Sequence, residues 1–396
     1  MLNSAITLSS RVQKIEPSAT MVVAAKARAL RESGVNVVDL GLGEPDFDTP
    51  ENIKNAAIAA IHQGFTKYTP VGGFADLKKA IQAKLQKENN LHYEPSQIVV
   101  SCGGKQSLYN LFQAVVNSGD EVIYPAPYWV SYPDMVLLAD GKPVPVFAGI
   151  EQSFKITAEQ LEKAITPKTK IFLINCPSNP TGMSYTRAEL KALGNVLAKH
   201  PHVLVATDDM YEHILWAKEP FSNILNACPN LYDRTIILNG VSKAYAMTGW
   251  RIGFAAGPTP LIEAMTTIQS QCTSGASSIS QKAAKEAFTG DQSSVGTMVK
   301  SFKERHDYLV KALNTIVGVQ CLPADGTFFV FPKVQGLVER LGLKDDMVLT
   351  EFLLNKAGVA VIPGSPFGGP GYIRLSFATS LENLQNAVER MVKVLE

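Results

Sequence analysis

Between Gln97 and Leu238 the chain alternates short apolar runs with longer stretches of helical periodicity, and this alternation limits the folds open to it. The runs Gln97–Val100, Glu121–Tyr124, Lys170–Asn175, His202–Ala206 and Thr235–Leu238 are rich in β-branched and aliphatic residues. Runs of that length and composition read as buried strands. The stretch Gln106–Val116 between two of them has helical spacing. Such alternation implies βαβ units and a mostly parallel sheet wrapped by helices. In that architecture ligands bind beyond the carboxyl ends of the strands. Asn179, Asp208 and Lys243 each follow one of these runs, so all three are expected on one sheet edge.

The flanks differ in style. A helical stretch, Pro17–Arg31, leads into a short strand, Val35–Leu40, and then into Gly41-Leu42-Gly43-Glu44-Pro45-Asp46, whose Gly and Pro residues break regular structure. Helices are expected over Glu51–Gln63 and Phe74–Glu88, with the loop Lys67–Gly73 between them. Beyond about Ala287 come a long helix (Ser294–Leu313), strands at Gly326–Phe331, Val359–Ile362 and Tyr372–Phe377, a helix at Met347–Ala357 and a last helix capped by Ser380. A chain of 396 residues exceeds what one simple core supports. The reading is a large α/β domain over residues 45–290 and a small α+β domain over 291–396, completed by residues 1–44.

Thirty-seven basic against thirty-six acidic side chains leave a net charge of +1. That balance offers no field for nucleic acid or an anionic membrane, so a cationic site must be local. The five cysteines are odd in number and widely spaced, without a CxxC pair or zinc-finger spacing. Free thiols in a reducing compartment fit them. The first residues lack a signal-peptide pattern, and no apolar run of about 18 residues occurs. A cytoplasmic protein with no metal centre and no membrane partner is expected.

The chemistry centres on Lys243. It follows the Thr235–Leu238 run, and a second cation, Arg251, stands eight residues on. A lysine amine in a dry site loses its proton and condenses with a carbonyl, and an arginine nearby neutralises a phosphate on the same molecule. An aldehyde cofactor with a ring nitrogen and a phosphate would require further parts. A carboxylate must keep the ring nitrogen protonated; Asp208 suits by position, with Asp209 as the alternative. Tyr211 and Asn179 suit the ring oxygen. Gly103-Gly104-Lys105, ahead of the Gln106 helix, offers backbone N–H groups to a phosphate. Trp129 is available to cover the ring face. Arg374, on an apolar C-terminal strand, needs an anionic partner, and a substrate carboxylate would be one.

In this order these motifs resemble the fold-type I, pyridoxal-phosphate-dependent aminotransferases of class I, and among them the bacterial aspartate aminotransferases. The likeness runs nearly end to end through Gly43-Glu44-Pro45-Asp46-Phe47, Lys67-Tyr68, Gly103-Gly104-Lys105-Gln106, Pro127-Tyr128-Trp129, Asn179-Pro180-Thr181-Gly182, Asp208 with Tyr211, Ser242-Lys243 with Gly249-Trp250-Arg251, and Arg374-Leu375-Ser376. The resemblance implies a seven-stranded, mostly parallel sheet in the large domain. It also implies that Lys243 binds the cofactor covalently and then shuttles a proton, Asp208 meets the pyridine nitrogen, and Asn179 and Tyr211 contact the ring oxygen. Trp129 would stack on the ring, and Arg251, Ser242 and the Gly103-Gly104-Lys105 amides would hold the phosphate. Gly240 stands where some relatives carry a serine, which puts more weight on Ser242 and Arg251. Arg374 would take the substrate α-carboxylate with Asn179 and the backbone at Gly43. Tyr68 would reach the phosphate of a neighbouring subunit, making the homodimer part of the site. Lys105 or Arg11 would read a distal carboxylate.

The implied reaction is ping-pong transfer of an amino group from L-aspartate to 2-oxoglutarate. Rival acceptors or donors within the fold are prephenate, aromatic amino acids and alanine, and a lyase such as an aminocyclopropane-carboxylate synthase is a more distant rival. From another class stands a non-catalytic effector-binding domain of the same fold, which usually carries an appended helix-turn-helix module. A nicotinamide-dependent dehydrogenase would need a GxGxxG after its first strand, which the sequence lacks.

Overall fold

The computed structural model describes residues 6–395. Its central element is a seven-stranded sheet of β1 (Ile98–Ser101), β2 (Glu121–Ala126), β3 (Lys142–Phe147), β4 (Thr169–Asn175), β5 (Leu204–Asp208), β6 (Thr235–Gly240) and β7 (Gly253–Ala256). The spatial order is β1-β7-β6-β5-β4-β2-β3. All pairings are parallel except those of β7, which runs antiparallel to both β1 and β6.

Side-chain period in the strands explains why both sheet faces are apolar. Val100, Ile123, Phe172, Ile174, Val205 and Ile237 enter one core, together with Leu77 and Ile81 of the helix Ala75–Asn89 and Leu190 and Leu193 of the helix Arg187–Ala198. Their neighbours Val99, Val122, Ile171, Leu173, Ala206 and Ile236 enter a second core on the other face. There they meet Leu108 and Phe112 of the helix Gly104–Val115 and Met265 of the helix Thr259–Ser270.

Two of the seven strands escape sequence reading. Lys142–Phe147 carries Pro143 and Pro145, which argue against a strand. It lies at the sheet edge, where a residue without an N–H is tolerated. β7 reads Gly-Phe-Ala-Ala, too short and small to announce itself.

A further core gathers Met298, Phe302 and Leu309 of the helix Ser293–Leu313 with Phe328, Leu375, Phe377 and Met391, and with Val38 and Leu40 from the N-terminal side. The chain ends meet because Val38–Asp39 pairs in parallel with Val359–Ala360. The expected single strand Val359–Ile362 is therefore divided. Its second part, Ile362–Pro363, pairs antiparallel with Ile373–Ser376 and sets Ile362 opposite Arg374. The strand expected over Gly326–Phe331 shortens to Phe329–Val330, since Thr327 has φ of 66°, outside the β region. Among the described residues no helix is long and apolar enough to cross a membrane.

Backbone contact at β7 is close. A Cβ at Gly253 would lie 2.2 Å from the Gly104 nitrogen and 2.4 Å from the Gly103 carbonyl carbon, atoms that no rotamer change can move. Gly253→Ala is expected to cost about 1–3 kcal/mol as an overpacked site, measured as a lowered urea midpoint at unchanged slope.

Candidate active site

The register of the sheet assembles the site. Asn175 at the end of β4 lies opposite Asp208 at the end of β5, and Asp208 lies opposite Leu238 of β6. Asn179, Tyr211, Ser242 and Lys243 follow these ends within a few residues. Because β7 is antiparallel, its first residue, Gly253, sits at the same edge, opposite Ser101 and Gly240. Arg251 is thereby delivered beside the start of the helix Gly104–Val115. The result is a cavity of about 480 Å³ with Lys243 and Asp208 in its wall. Gly43, Gly104, Lys105, Trp129, Asn179, Tyr211, Ser242, Arg251 and Arg374 also line it.

One end is built for an anion. The first turn of a helix leaves backbone N–H groups without intrahelical acceptors, and the helix dipole favours negative charge there. Gly103, the residue before that turn, has φ of 82°. A Cβ on it would stand 2.3 Å from Nη2 of Arg251, so only glycine lets the guanidinium close over the helix start. Arg251 is held there by Nη1 donating to the Thr248 carbonyl at 2.8 Å, with Nη2 3.4 Å from the Cys102 carbonyl. Ser242, on the adjoining turn, is buried.

Lys243 donates from Nζ to the Gly43 carbonyl. Burial lowers its pKa to about 8; Glu44 opposes the shift, while Arg374 and Arg251 add to it. Asp208 is half-buried, and desolvation raises its carboxyl to about 6, against the lowering effects of the Tyr132 hydroxyl, the Met210 N–H and Lys243. Tyr132 donates to Oδ2 of Asp208 at 2.7 Å. Asp209 points elsewhere: it accepts from the Thr207 hydroxyl and, at 2.9 Å, from the Asn223 amide. Of the two carboxylates in this dipeptide, Asp208 alone lines the cavity.

Arg374 is 2% exposed. It donates to Oδ1 of Asn179 at 3.0 Å and to the Gly41 carbonyl at 2.7 Å, and its guanidinium lies 4.3 Å from the Phe329 ring and 5.0 Å from the Phe367 ring. Among the described residues its Nε has no hydrogen-bond partner. Burial lowers its pKa to about 10, and the nearby Tyr211 works against that shift. Tyr211 packs edge-on against Phe328 and Phe329; burial raises its phenol, while Arg374 and a bond with Asn179 pull it back. Among the described residues Arg374 makes no ion pair with a carboxylate. The cavity wall holds four cations (Lys105, Lys243, Arg251, Arg374) against two carboxylates (Glu44, Asp208). In a chain of net charge +1, that local excess suits a ligand with several negative charges.

Lys105 completes the cationic side, its ammonium 4.9 Å from the Trp129 ring. Burial, then Arg251, lowers its pKa. Arg11, the other candidate reader of a distal carboxylate, is not brought into the cavity. It pairs with Asp140 at 3.0 Å, shared with Lys14 at 3.4 Å, and its side chain stays 62% exposed. Thr20 and Met21, at the start of the helix Ala19–Glu32, reach the cavity instead. Tyr68 is 97% exposed and lies in a separate groove with Thr273–Ser278. Asn175, Tyr132 and Glu44 escaped sequence reading as site residues. Asn175 holds the segment after β4, its amide donating to the Asp208 carbonyl and its Oδ1 accepting from the Asn179 N–H, both at 2.8 Å. Its place as the last residue of a strand, level with Asp208, was the available signal.

The parts expected for an aldehyde cofactor with a ring nitrogen and phosphate thus fit what this cavity offers: an amine of lowered pKa, a half-buried carboxylate, and a glycine cradle under an arginine. A lysine with its pKa lowered in the fold is a neutral amine above that value and an unreactive ammonium below it. In cofactor-free protein, reductive methylation of Lys243 should therefore be half-maximal near pH 8, as read by peptide mass spectrometry. A half-point at about 10.4, the ordinary lysine value, would contradict this electrostatic reading.

Comparison with known proteins agrees with this geometry. Residues 35–391 match the family model for aminotransferase class I and II. An aspartate/prephenate aminotransferase of Nitrosomonas europaea is 56% identical over 98% of this chain and 99% of its own length. The protein of that name from Cereibacter sphaeroides is 52% identical over 97% of each chain. Among solved structures, the aspartate aminotransferase from Rhizobium meliloti superposes with a TM-score of 0.95 at 45% identity, covering 99% of both chains. That from Thermus thermophilus with maleate superposes with a TM-score of 0.93 at 42% identity, covering 98% of this chain and 100% of its own. The chain belongs to the class I and II aminotransferases.

Proposed function

We propose that this aminotransferase uses pyridoxal 5'-phosphate to move an amino group from L-aspartate to 2-oxoglutarate, with prephenate as a further acceptor. The observation that carries the reading is Arg374, a buried guanidinium without a carboxylate partner that shares one cavity with Lys243. A substrate α-carboxylate supplies the missing anion through paired N–H donors, and Asn179 helps orient the fork.

The cofactor, when bound, supplies an aldehyde and an electron-withdrawing ring. Lys243 would hold the aldehyde carbon, then take and return the proton at the substrate α-carbon, a task its lowered pKa suits. Asp208 would keep the ring nitrogen protonated, since a cation beside a buried carboxylate favours its ionised form. Tyr211 and Asn179 would donate to the ring oxygen, Trp129 would cover the ring face and shed water, and Ser242, Arg251 and the Gly103-Gly104-Lys105 segment would bind the phosphate. Lys105, beside Trp129, would grip the distal carboxylate of aspartate or 2-oxoglutarate. An ammonium is a point charge that discriminates poorly by ligand length. Prephenate as acceptor is favoured by the names of the Nitrosomonas and Cereibacter relatives.

A division into 45–290 and a small domain of 1–44 with 291–396 is supported by the two cores on the faces of the sheet, drawn almost wholly from 45–290, and by a further core drawn mainly from the flanks, which Tyr211 and Ile214 join. The free cysteines suit a cytoplasmic setting. A homodimer is supported by the bare Tyr68 ring, which does not line the Lys243 cavity of its own chain.

The test is a half-reaction series, read from the cofactor spectrum, with aspartate, alanine and aromatic donors in the wild type and in Lys105→Ala. Loss of one charge-assisted contact, worth roughly 1.5–3 kcal/mol, should lower kcat/KM for aspartate about 10- to 150-fold and for alanine far less. Equal losses for both donors, at unchanged cofactor affinity, would move the distal-carboxylate role elsewhere. The shared site has its own check. Mixed Tyr68→Ala and Lys243→Ala subunits should regain part of the activity that each homodimer lacks, because one of the two sites in a heterodimer is intact. No recovery, with subunit exchange confirmed by mass spectrometry, would place Tyr68 outside the partner's site.

A further inference from the structure

Asp208 does not stand alone in the wall of the cavity. Its Oδ2 accepts from the Tyr132 hydroxyl at 2.7 Å, while Oδ1 has only the long contact to the Met210 N–H, at 3.4 Å. Tyr132 belongs to the helix Ser131–Leu138, on neither the strand that carries Asp208 nor the one that leads to Lys243. It is 2% exposed and does not line the cavity. Its ring is wedged edge-on against Trp129, centroids 5.5 Å apart at 88°, and lies 5.8 Å from Tyr124. Its backbone N–H donates to the Trp129 carbonyl at 3.0 Å. The same turn of chain therefore fixes the indole that borders the cavity and the phenol that grips the carboxylate.

We infer that Tyr132 is a positioning residue for Asp208: it occupies one carboxylate oxygen, leaves the other to face the ligand, and holds the group in its ionised form. A phenol donating to a carboxylate stabilises the anion over the acid, and in a buried site that bond is charge-assisted and short. The donor itself keeps its proton, because burial, reinforced by the Asp208 charge, lifts the Tyr132 phenol well above its ordinary range. Tyr132 also ties the carboxylate to Trp129, so that the acid for a ring nitrogen and the platform for a ring face keep one relative setting. Asp208 further faces Lys243 from the turn after β6 and Tyr211 from the segment after β5. Glu44, Lys105, Arg251 and Arg374 share the same cavity. Among the described residues Tyr132 is the one neutral hydroxyl bonded directly to the Asp208 carboxylate.

This inference rests on the proposed role of Asp208, and the deciding measurement does not require turnover. Cofactor-free wild type and Tyr132→Phe, labelled with carbon-13 at aspartate Cγ, are titrated by NMR, and the Asp208 signal is identified by its loss in Asp208→Asn. Removing a hydrogen bond to a charged group should raise the Asp208 midpoint by about one pH unit or more, a ten-fold change in its ionisation constant. In the loaded enzyme, kcat for aspartate should fall about ten-fold while KM for aspartate stays within about two-fold, because Tyr132 makes no substrate contact. In the Asp208→Asn background, Tyr132→Phe should lower kcat no further. An unmoved Asp208 midpoint in a variant of unchanged melting temperature would overturn the inference. So would a kcat loss of equal size with and without the carboxylate. Absence of transamination in the wild type would count against the proposed function and leave the titration to decide the role of Tyr132.

Discussion

The site depends on three backbones meeting where no side chain fits. A Cβ at Gly240 would lie 2.8 Å from the Ile252 carbonyl, and one at Gly253 would lie 2.2 Å from the Gly104 nitrogen. Through these contacts β7 slides between β1 and β6 in the opposite sense to both. The helix start at Gly104, the arginine ahead of β7 and the lysine beyond β6 are thereby drawn to one edge. Had β7 been parallel, Arg251 would stand at the far end of the sheet, and the anion site would have a helix dipole without its guanidinium.

Burial then sets the chemistry of what has been assembled. Lys243 and Asp208 share one cavity wall, and desolvation pushes each toward its neutral form, the amine down and the acid up. The surroundings compensate unequally. Asp208 has the Tyr132 hydroxyl, the Met210 N–H and Lys243 to favour its charge, whereas at Lys243 the favourable Glu44 and Asp208 are opposed by two arginines. A proton-transfer lysine is served by that inequality, and so is a carboxylate that must stay charged against a cationic ring. Behind this wall a second buried pair, Lys84 with Glu212, is satisfied by Asn89 and Asn239. Here burial is outweighed by Lys84 together with His213 and the Asn89 amide, which hold the Glu212 carboxyl down at about 2. A buried carboxylate paired with an ammonium is structural; one facing a cavity with a hydroxyl beside it is free to meet a ligand.

Much of this was legible in one dimension. Periodicity located β1, β2, β4, β5 and β6 within one or two residues at most ends, because strands buried on both faces are nearly continuous apolar runs. Lys243 stood out as an amine at a strand end, Arg251 as a second cation eight residues on, and Arg374 as a charge on an apolar strand; Asn179 came with its Asn-Pro-Thr-Gly turn and the family resemblance. β3 was hidden by its prolines and β7 by its brevity. The pairing of Val38–Asp39 with Val359–Ala360, far apart in sequence, leaves no local trace. Arg11 stood as a second candidate, after Lys105, for reading a distal carboxylate. The fold gave it Asp140 as a partner, and no periodicity announces an ion pair across 129 positions.

The sequence by itself determined the alternation of strand and helix, the residue types at the strand ends and the glycines that permit close backbone contact. Each of these follows from local physics: side-chain period, missing N–H groups, absent Cβ atoms. The tertiary structure decided which of two adjacent aspartates faces the cavity. It placed a tyrosine from a separate helix on that carboxylate and left Arg374 buried with an unanswered charge. These are outcomes of register and packing between segments distant in the chain. An aspartate next to an aspartate is chemically the same residue until a sheet turns one toward a cavity and the other toward an asparagine.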